Sequence, residues 1–478
     1  MTPDSQNQEP AVMRFDLLQP AWKHVAAPRL GSLAAPGRAL IPTPNFIALT
    51  SRGTVPHVTP DNVRKHLETK GAYVALEDFI ERPLQNQKRS PPIFQTPLTT
   101  PPPPTSSTSP TTTTHPSRLH AFAALPQPVI TILAPRRVNA VPSPAGNTNA
   151  AVSIFTSTGF QPLTPKDYLA AVRALQPDIA IAPADLTHAA TTPPSKRALR
   201  MAERTDEWAV DWFADLADHP PAPGTTPVAT FAPVLPIPYP IQWEYLSRLA
   251  EDYAGTPQLA GLAIHDASLL PDLAAHCMPL LPLPRLSLSA PPTPHHVLRE
   301  LALGIDLFTL PFLNSVSDAG IALSFSIPPP PLPSGGGLLP LGIDMSSPVH
   351  ATSVTPLSQS CTCYACASHH RAFVHHLLVA REMLGWTLLQ IHNHAVAASF
   401  FAGVREALKQ GGEKFEEVRA QFGRVYEPEF PKGLGERPRA RGYQFKSVGG
   451  GEGKKNKATW QKFEGEGETD GQVEGDGQ

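Results

Sequence analysis

Strand-like apolar segments alternate with helix-forming segments between residues 164 and 311, and this alternation constrains the fold more than any other feature of the chain. In chain order, the strand-like segments are PDIAIAPAD, PVATFAPVL, LAGLAIHD, RLSLSA and IDLFTLP. A helix-forming stretch follows each of the first four. Repeated βα units with buried apolar strands form a parallel sheet covered by helices. The pattern therefore fits a closed (β/α)8 barrel or a doubly wound open sheet.

The helix predicted within LTPKDYLAAVRAL has clear start signals. Thr164 stands at the N-cap, Pro165 at the first helical position, and Asp167 where a capping acid belongs. Leu169 and Val172 follow helical spacing. No GxGxxG motif follows the early strands, which disfavours a dinucleotide-binding fold, and we predict the barrel.

Polar residues end several of the predicted strands. Asp185, Asp266 and Thr309 each stand at such an end. In a (β/α)8 barrel they would lie at the C-terminal face, where barrel enzymes place their chemistry. The alternative for each side chain is a structural role, capping a helix or bracing a loop.

Composition excludes some classes of protein. The chain has 478 residues and a formal net charge of −2, so no global attraction to nucleic acid or membrane is implied. Its first residues do not form a secretory signal, and no apolar run reaches the ~18 residues of a membrane helix. We expect a soluble intracellular protein without an integral membrane segment.

The 58 prolines are clustered, and the clusters predict the domain boundaries. Residues 91–118 are rich in Pro and Thr and should form a disordered insertion. The barrel is expected over residues 12–345, a helical metal-binding subdomain over 346–425, and a largely disordered charged tail over 426–478.

Three of the four cysteines lie within six residues, at Cys361, Cys363 and Cys366. Four cysteines are too few for a disulfide framework in a chain of this length. Three thiolates in a tight turn can hold one tetrahedral ion if a fourth ligand comes from elsewhere. A metal site is therefore predicted, with buried structural cysteines as the alternative.

The sequence after the cysteines predicts two helices broken near Gly385, with Leu377 and Leu384 among the apolar residues of the first. His392 and His394, on the second helix, can fold back to supply the fourth ligand. Spacing alone does not choose between them. Three thiolates and one imidazole suit zinc in a closed, structural site.

The segment CxCxxC followed by HHRAFVHHLLVAREMLGWTLLQIHN resembles the C-terminal zinc segment of the tRNA-guanine transglycosylases, the queuine tRNA-ribosyltransferase family. The resemblance continues through GIDLF, LAGLAIHD and TPNFIALTSRGTVPHVTPD, and covers most of the chain outside the proline-rich insertions and the tail. It implies a (β/α)8 TIM barrel and one structural Zn²⁺ per subunit. The ligands that it implies are Cys361, Cys363, Cys366 and His392.

Departures from the family pattern point to a subunit without catalytic residues. Catalytic members use an aspartate nucleophile in a GxDxFD segment, whereas GIDLFTLP has Asp306 but places Thr309 at the nucleophile position. An unassisted threonine hydroxyl is a poor nucleophile near neutral pH. The TDSGGFQ motif that supplies a second aspartate has no match, and the following FLNSVSDAGIAL has no Lys or Arg. The chain most resembles the family's eukaryotic accessory subunits.

The resemblance implies partners as well. An accessory subunit would form a heterodimer with a catalytic subunit through surfaces near residues 361–408. It would support the exchange of guanine for queuine at the wobble position of GUN-anticodon tRNAs, contacting tRNA through the complex. The implied location is the cytoplasm, with peripheral association with the mitochondrial outer membrane.

Two other hypotheses remain open at this point. The chain could be an active transglycosylase that uses a displaced carboxylate: Asp306, Asp185 or Asp266. Alternatively, it could be a scaffold whose proline-rich segment 91–118 recruits partners while the barrel serves as a platform.

Overall fold

The structure is a computed structural model that describes residues 12–19, 27–81, 90–97, 117–189, 191–220, 227–332 and 336–433. Its strands are β1 (Arg14–Gln19), β2 (Leu30–Ala34), β3 (Ile41–Thr43), β4 (Asn45–Leu49), β5 (Gly71–Ala75), β6 (Ile130–Ala134), β7 (Val152–Thr156), β8 (Gly159–Leu163), β9 (Ile179–Ile181), β10 (Ala229–Val234), β11 (Leu259–Ile264), β12 (Arg285–Ser287), β13 (Leu307–Thr309), β14 (Ile321–Leu323) and β15 (Gly342–Asp344). Eight of them, β4, β5, β6 and β9 to β13, form a closed barrel in which β13 pairs with β4. All eight pairings are parallel, and the predicted (β/α)8 barrel is confirmed.

Helices cover the barrel and continue beyond it. They are α1 (Pro60–His66), α2 (Pro92–Gln95), α3 (Arg118–Ala123), α4 (Pro165–Leu175), α5 (Ser195–Asp218), α6 (Tyr239–Arg248), α7 (Leu270–His276), α8 (Pro294–Ala302), α9 (Pro311–Asp318), α10 (Tyr364–Ser368), α11 (Arg371–Val379), α12 (Met383–Lys409) and α13 (Gly412–Val425). Five of the eight barrel strands, β9 to β13, lead directly into helices α5 to α9. No helix in the described residues is long and apolar enough to cross a membrane.

Helix α4 begins as its sequence predicts. The Thr164 hydroxyl accepts a hydrogen bond from the Asp167 amide at 3.0 Å and donates one to the Asp167 carboxylate at 2.8 Å. Pro165 occupies the first turn, where its missing N–H costs nothing. The helix buries Leu169 and Val172 against the barrel, so the cap and the apolar spacing together place it.

The N-terminal end of the barrel is closed by an antiparallel sheet of β1, β2 and β3. Leu33 and Ile41 from this sheet join Ile47, Phe231 and other side chains of the barrel interior in one apolar cluster. At the same end of the barrel, Arg29 donates hydrogen bonds to the Asp306 carboxylate, from Nε at 2.8 Å and from Nη2 at 2.5 Å. Both side chains are buried, so this ion pair at the N-terminal end of the barrel is shielded from water.

The prediction of a disordered insertion is wrong in part. Helix α2 lies inside the segment 91–118 that was expected to be disordered, because Ile93 is buried in the main core. At the other end of the chain, Phe430 packs on Phe312, so structure continues past residue 426. Residues 98–116 and 434–478 lie outside the described residues, and the disorder expected there stays a prediction.

The two predicted helices are present, but the break between them lies before Gly385. Helix α11 ends at Val379 and α12 begins at Met383, and Arg381 takes a left-handed φ of 58° between them. Gly385 lies inside α12, where a Cβ would stand 3.2 Å from the Cβ of Leu377. The glycine therefore allows close packing of the two helices, and the chain turns before it.

Replacing Arg29 with Met removes one half of the buried ion pair. Asp306 would lose its ion-pair partner in the interior, so the free energy of unfolding should fall by about 3–5 kcal/mol. Urea unfolding followed by circular dichroism measures this loss. Arg14→Met, which breaks the exposed pair with Asp16, is the control and should cost about 1 kcal/mol or less. Equal losses from both substitutions would contradict the supporting role of Arg29.

Candidate metal centre and barrel mouth

The three cysteines and His392 meet in one cluster. Cys363 is the residue before α10, Cys366 lies within the helix, and Cys361 lies two residues before Cys363. The three sulfurs therefore lie around the start of one short helix. The four candidate ligand atoms all lie within 4.8 Å of one another. Nδ1 of His392 is 3.6 Å from Sγ of Cys363 and 3.4 Å from Sγ of Cys366.

These spacings fit a tetrahedral ion. With metal–sulfur and metal–nitrogen bonds of zinc length, tetrahedral geometry places sulfur and nitrogen about 3.6 Å apart. Hydrogen bonds from Cys361 and Cys363, and then from His392, lower the pKa of Cys366 and favour its thiolate form. The cluster can hold a metal ion, and its three sulfurs and one nitrogen form a complete tetrahedral set.

Backbone contacts determine which nitrogen of His392 faces the sulfurs. Its Nε2 lies 2.9 Å from the carbonyl oxygen of Leu323, which can only accept a hydrogen bond, so Nε2 carries the proton. Nδ1 therefore faces the sulfurs and would bind a metal ion through its lone pair, as in metal-bound histidines. The imidazole is fully buried in α12, which keeps this orientation.

His394 points elsewhere, although spacing alone left it as a candidate. Its ring meets the edge of Phe46 at a centroid distance of 5.7 Å, and its Nε2 accepts from the Gln390 amide at 3.1 Å. Burial lowers the pKa of His394 to about 4, so the ring is neutral. The helix turns the two histidines to different sides, and only His392 joins the cysteines.

Sequence reasoning missed the role of Asn393. Its side chain accepts from the Leu323 amide at 2.8 Å and donates to the Ile321 carbonyl at 2.9 Å. These bonds attach α12 to strand β14 beside the cluster. The only signal in the sequence was the position of the asparagine directly after His392.

Thr309 lies at the C-terminal end of β13, the place predicted for it. Its side chain is buried, and its hydroxyl donates to the carbonyl oxygen of Ser287 on the neighbouring strand at 2.9 Å. The hydroxyl thus joins β13 to β12. The structural alternative considered for this residue accounts for its contacts.

Asp185 also lies at this face, fully buried and surrounded by donors. Arg197 approaches one carboxylate oxygen at 2.6 Å and Arg204 the other at 2.9 Å, while Asn147 donates at 2.8 Å. Two arginines offset its charge. Asp266 accepts from the Ser268 amide at 2.9 Å and caps a short helical turn.

Asp306 lies at the opposite end of the barrel. It precedes β13, accepts from Arg29, and also accepts from the Arg285 amide at 2.8 Å. The hypothesis that Asp306 serves as a displaced nucleophile at the mouth is wrong, because the whole length of β13 separates it from that face.

A cavity of about 590 Å³ opens at the C-terminal face. No charged residue lines it, and its polar side chains are Asn139, Thr187, His188, Thr191, Thr192, His265 and Ser289. Burial lowers the pKa of His265 to about 4 and that of His188 well below its usual value. Both imidazoles are therefore neutral, and sequence reasoning named neither of them.

The sequence of this chain was compared with protein families and with known proteins. The family model described as TGT, queuine tRNA-ribosyltransferase, matches residues 101–428. A Schizosaccharomyces pombe protein named queuine tRNA-ribosyltransferase accessory subunit 2 is 32% identical over 422 residues, covering 87% of this chain and 86% of that protein. The Gallus gallus protein of the same name is 27% identical over 430 residues, which is 80% of this chain and 92% of the relative.

The matched region includes the cysteine cluster and all the barrel strands from β6 onward. The Schizosaccharomyces pombe relative matches over nearly the whole of both chains. The resemblance to accessory subunits noted in the sequence is confirmed by these relatives. On this evidence, the chain belongs to the queuine tRNA-ribosyltransferase family.

Proposed function

We propose that the chain is a non-catalytic accessory subunit of a queuine tRNA-ribosyltransferase. It would support the exchange of guanine for queuine at the wobble position of GUN-anticodon tRNAs, while a partner subunit performs the chemistry. The names of the relatives support the proposal. The observation that carries it is the hydroxyl of Thr309 at the strand end where catalytic members of the family carry a carboxylate.

The contacts of Thr309 explain why this position is unsuited to nucleophilic attack. Its hydroxyl is committed to the Ser287 carbonyl, and no base among the described residues hydrogen-bonds it. Activation of a hydroxyl nucleophile needs an adjacent base or a lowered pKa. Of the other candidates, Asp185 is held by two arginines and Asp266 caps a turn.

We also propose that the cluster binds one structural Zn²⁺ through Cys361, Cys363, Cys366 and His392. A bound ion would hold α10 against α12, and with four protein ligands it leaves no coordination position for a substrate. The fold directs Nδ1 of His392 toward the sulfurs and buries the imidazole. The choice of zinc over other ions rests on the sulfur-rich ligand set.

The surface proposed for the catalytic subunit lies at the turn between α11 and α12. Val379, Met383 and Leu384 are exposed there by 66%, 49% and 45%. Exposed apolar side chains in contiguous groups mark protein interfaces. Helix α12 carries both Met383 and His392, so loss of the proposed metal would also disturb the helix that forms the proposed interface.

The metal proposal predicts about one zinc ion per purified chain. His392→Ala should lose most of the zinc, because three thiolates alone leave the site incomplete. His394→Ala is the matched control, since it removes a buried imidazole from the same helix outside the cluster. Elemental analysis after dialysis measures both, and loss of zinc from the His394 variant alone would contradict the ligand assignment.

The accessory role predicts that the purified chain does not incorporate labelled guanine into a GUN-anticodon tRNA. Addition of a catalytic subunit should restore incorporation. Thr309→Asp should remain inactive alone, because the second aspartate of catalytic members has no counterpart in the sequence. Incorporation by the unmodified chain alone, or strong activity of the variant, would overturn the proposal.

The proposed interface is tested with Val379→Asp combined with Met383→Asp. Two charges placed in an apolar contact should weaken association with the catalytic subunit at least tenfold, equivalent to about 1.4 kcal/mol. Leu40→Asp, at an exposed apolar position beside β3, is the control and should leave association unchanged. Size-exclusion chromatography and calorimetry measure the complex. Equal effects of both changes would place the interface elsewhere.

A further inference from the structure

An open groove of about 600 Å³ lies along the exposed face of α12. It is lined by four small side chains of this helix, Ala395, Ala398, Ser399 and Ala402. The last three follow Ala395 by three, four and seven residues, so all four share one face of the helix. Residues from α1, from the loops beside β14 and β15, and from the segment of Cys361 and Cys363 complete the lining. Small side chains therefore form the floor of a groove that larger residues border.

Part of the apolar lining of the groove is exposed in the part of the chain that the structure describes. Pro330, Leu339 and Ile343 line the groove and are only half-buried. Leu338, next to Leu339, is 47% exposed. Among the lining residues, Glu68 is the only Asp, Glu, Lys or Arg. A concave apolar surface with little charge suits a peptide that carries large apolar side chains.

The described part of the chain ends close to this groove. Leu339 forms backbone hydrogen bonds on either side of Tyr426, which also lines the groove. A Cβ at Gly433, the last described residue, would stand 3.0 Å from the side chain of Ile321 in β14. The neighbouring strand β15 contributes Ile343 to the groove. An extended chain advances about 3.3 Å per residue, so the first ten residues after Gly433 are long enough to reach it.

The sequence after Gly433 contains a segment suited to such a surface. Its larger side chains alternate with smaller ones, in the order Arg439, Ala440, Arg441, Gly442, Tyr443, Gln444 and Phe445. In an extended chain every second side chain points to the same side, so the two aromatic rings would face one surface together. Aromatic rings bury large apolar areas, and the two arginines would meet Glu68 rather than a like charge.

We propose that residues 439–445 bind in the groove as an extended segment, with Tyr443 and Phe445 against Leu339 and Ile343. The bound segment would also lie over the turn of Cys361, and would shield this side of the cysteine cluster from solvent. A segment of the same chain gives up less translational freedom on binding than a separate partner does. A modest apolar contact is therefore sufficient to hold it.

The experiment places a photoreactive side chain at the edge of the groove in the full-length chain, as Leu338→p-benzoyl-phenylalanine. After irradiation, mass spectrometry of the digested protein should find cross-links to residues 437–447. Tyr443→Asp combined with Phe445→Asp should reduce their yield at least about tenfold, because both aromatic contacts are lost. Trp460→Asp combined with Phe463→Asp is the matched control, since it changes two aromatic residues farther along the chain, and should leave the yield unchanged.

A change on the other side of the proposed contact tests the groove itself. Ala402→Trp fills the groove from an exposed position on α12 and should also remove the cross-links. Ala420→Trp, at an exposed position on α13 outside the groove, is the control. Thermal unfolding shows whether the variants fold. Absence of cross-links to residues 437–447 in the chain with the unchanged tail, or their persistence in the Tyr443 and Ala402 variants, would overturn the proposal.

Two further readouts distinguish other occupants of the groove and other roles of the segment. On a denaturing gel, a cross-linked product with the mass of one chain supports the proposal, whereas a product of two chains assigns the groove to a second copy. Fluorescence anisotropy with a labelled tRNA is carried out on the same tail variants. Weaker tRNA binding by the Tyr443 variant, without cross-links in the groove, assigns the segment to RNA and contradicts the proposal. Cross-linking of the isolated chain does not depend on the proposed accessory role.

Discussion

The imidazole of His392 joins the cysteine segment to strand β14, and the arrangement of the C-terminal half depends on it. One ring nitrogen faces the sulfurs of Cys363 and Cys366, and the other is held by the Leu323 carbonyl at the end of β14. Helix α12, which carries the imidazole, also packs on β4, where Phe401 stacks on Phe46. A shift of this helix would disturb the cluster and the barrel wall together.

The barrel has the architecture of an enzyme, but its buried charged groups serve mainly to support the fold. Asp306 pairs with Arg29 at the N-terminal end of the barrel, and Asp185 pairs with Arg197 and Arg204 at the C-terminal end. A buried carboxylate needs such partners because an unpaired charge in the interior is costly. These partners account for the contacts of both carboxylates.

Much of this architecture was predictable, because it follows from local patterns. The alternation of apolar strands and amphipathic helices predicted the barrel, and Thr164 with Asp167 predicted the start of α4. The wrong predictions arose where a distant contact overrode a local signal. Gly385 looked like a helix breaker, yet it allows α12 to pack closely on Leu377. Ile93 stands in a proline-rich segment, yet the core buries it.

By itself, the sequence determined which chemical groups the chain possesses: three cysteines close enough for one ion, and a hydroxyl at residue 309, at the end of a predicted strand. Residue type and short spacing are local properties, so no fold was needed to see them. Spacing alone left His392 and His394 open, and the tertiary structure shows that His392 lies with the cysteines, because the helix turns the two side chains toward different surroundings. It also placed Asp306 at the end of the barrel opposite Thr309, since strand direction is determined by the closed sheet.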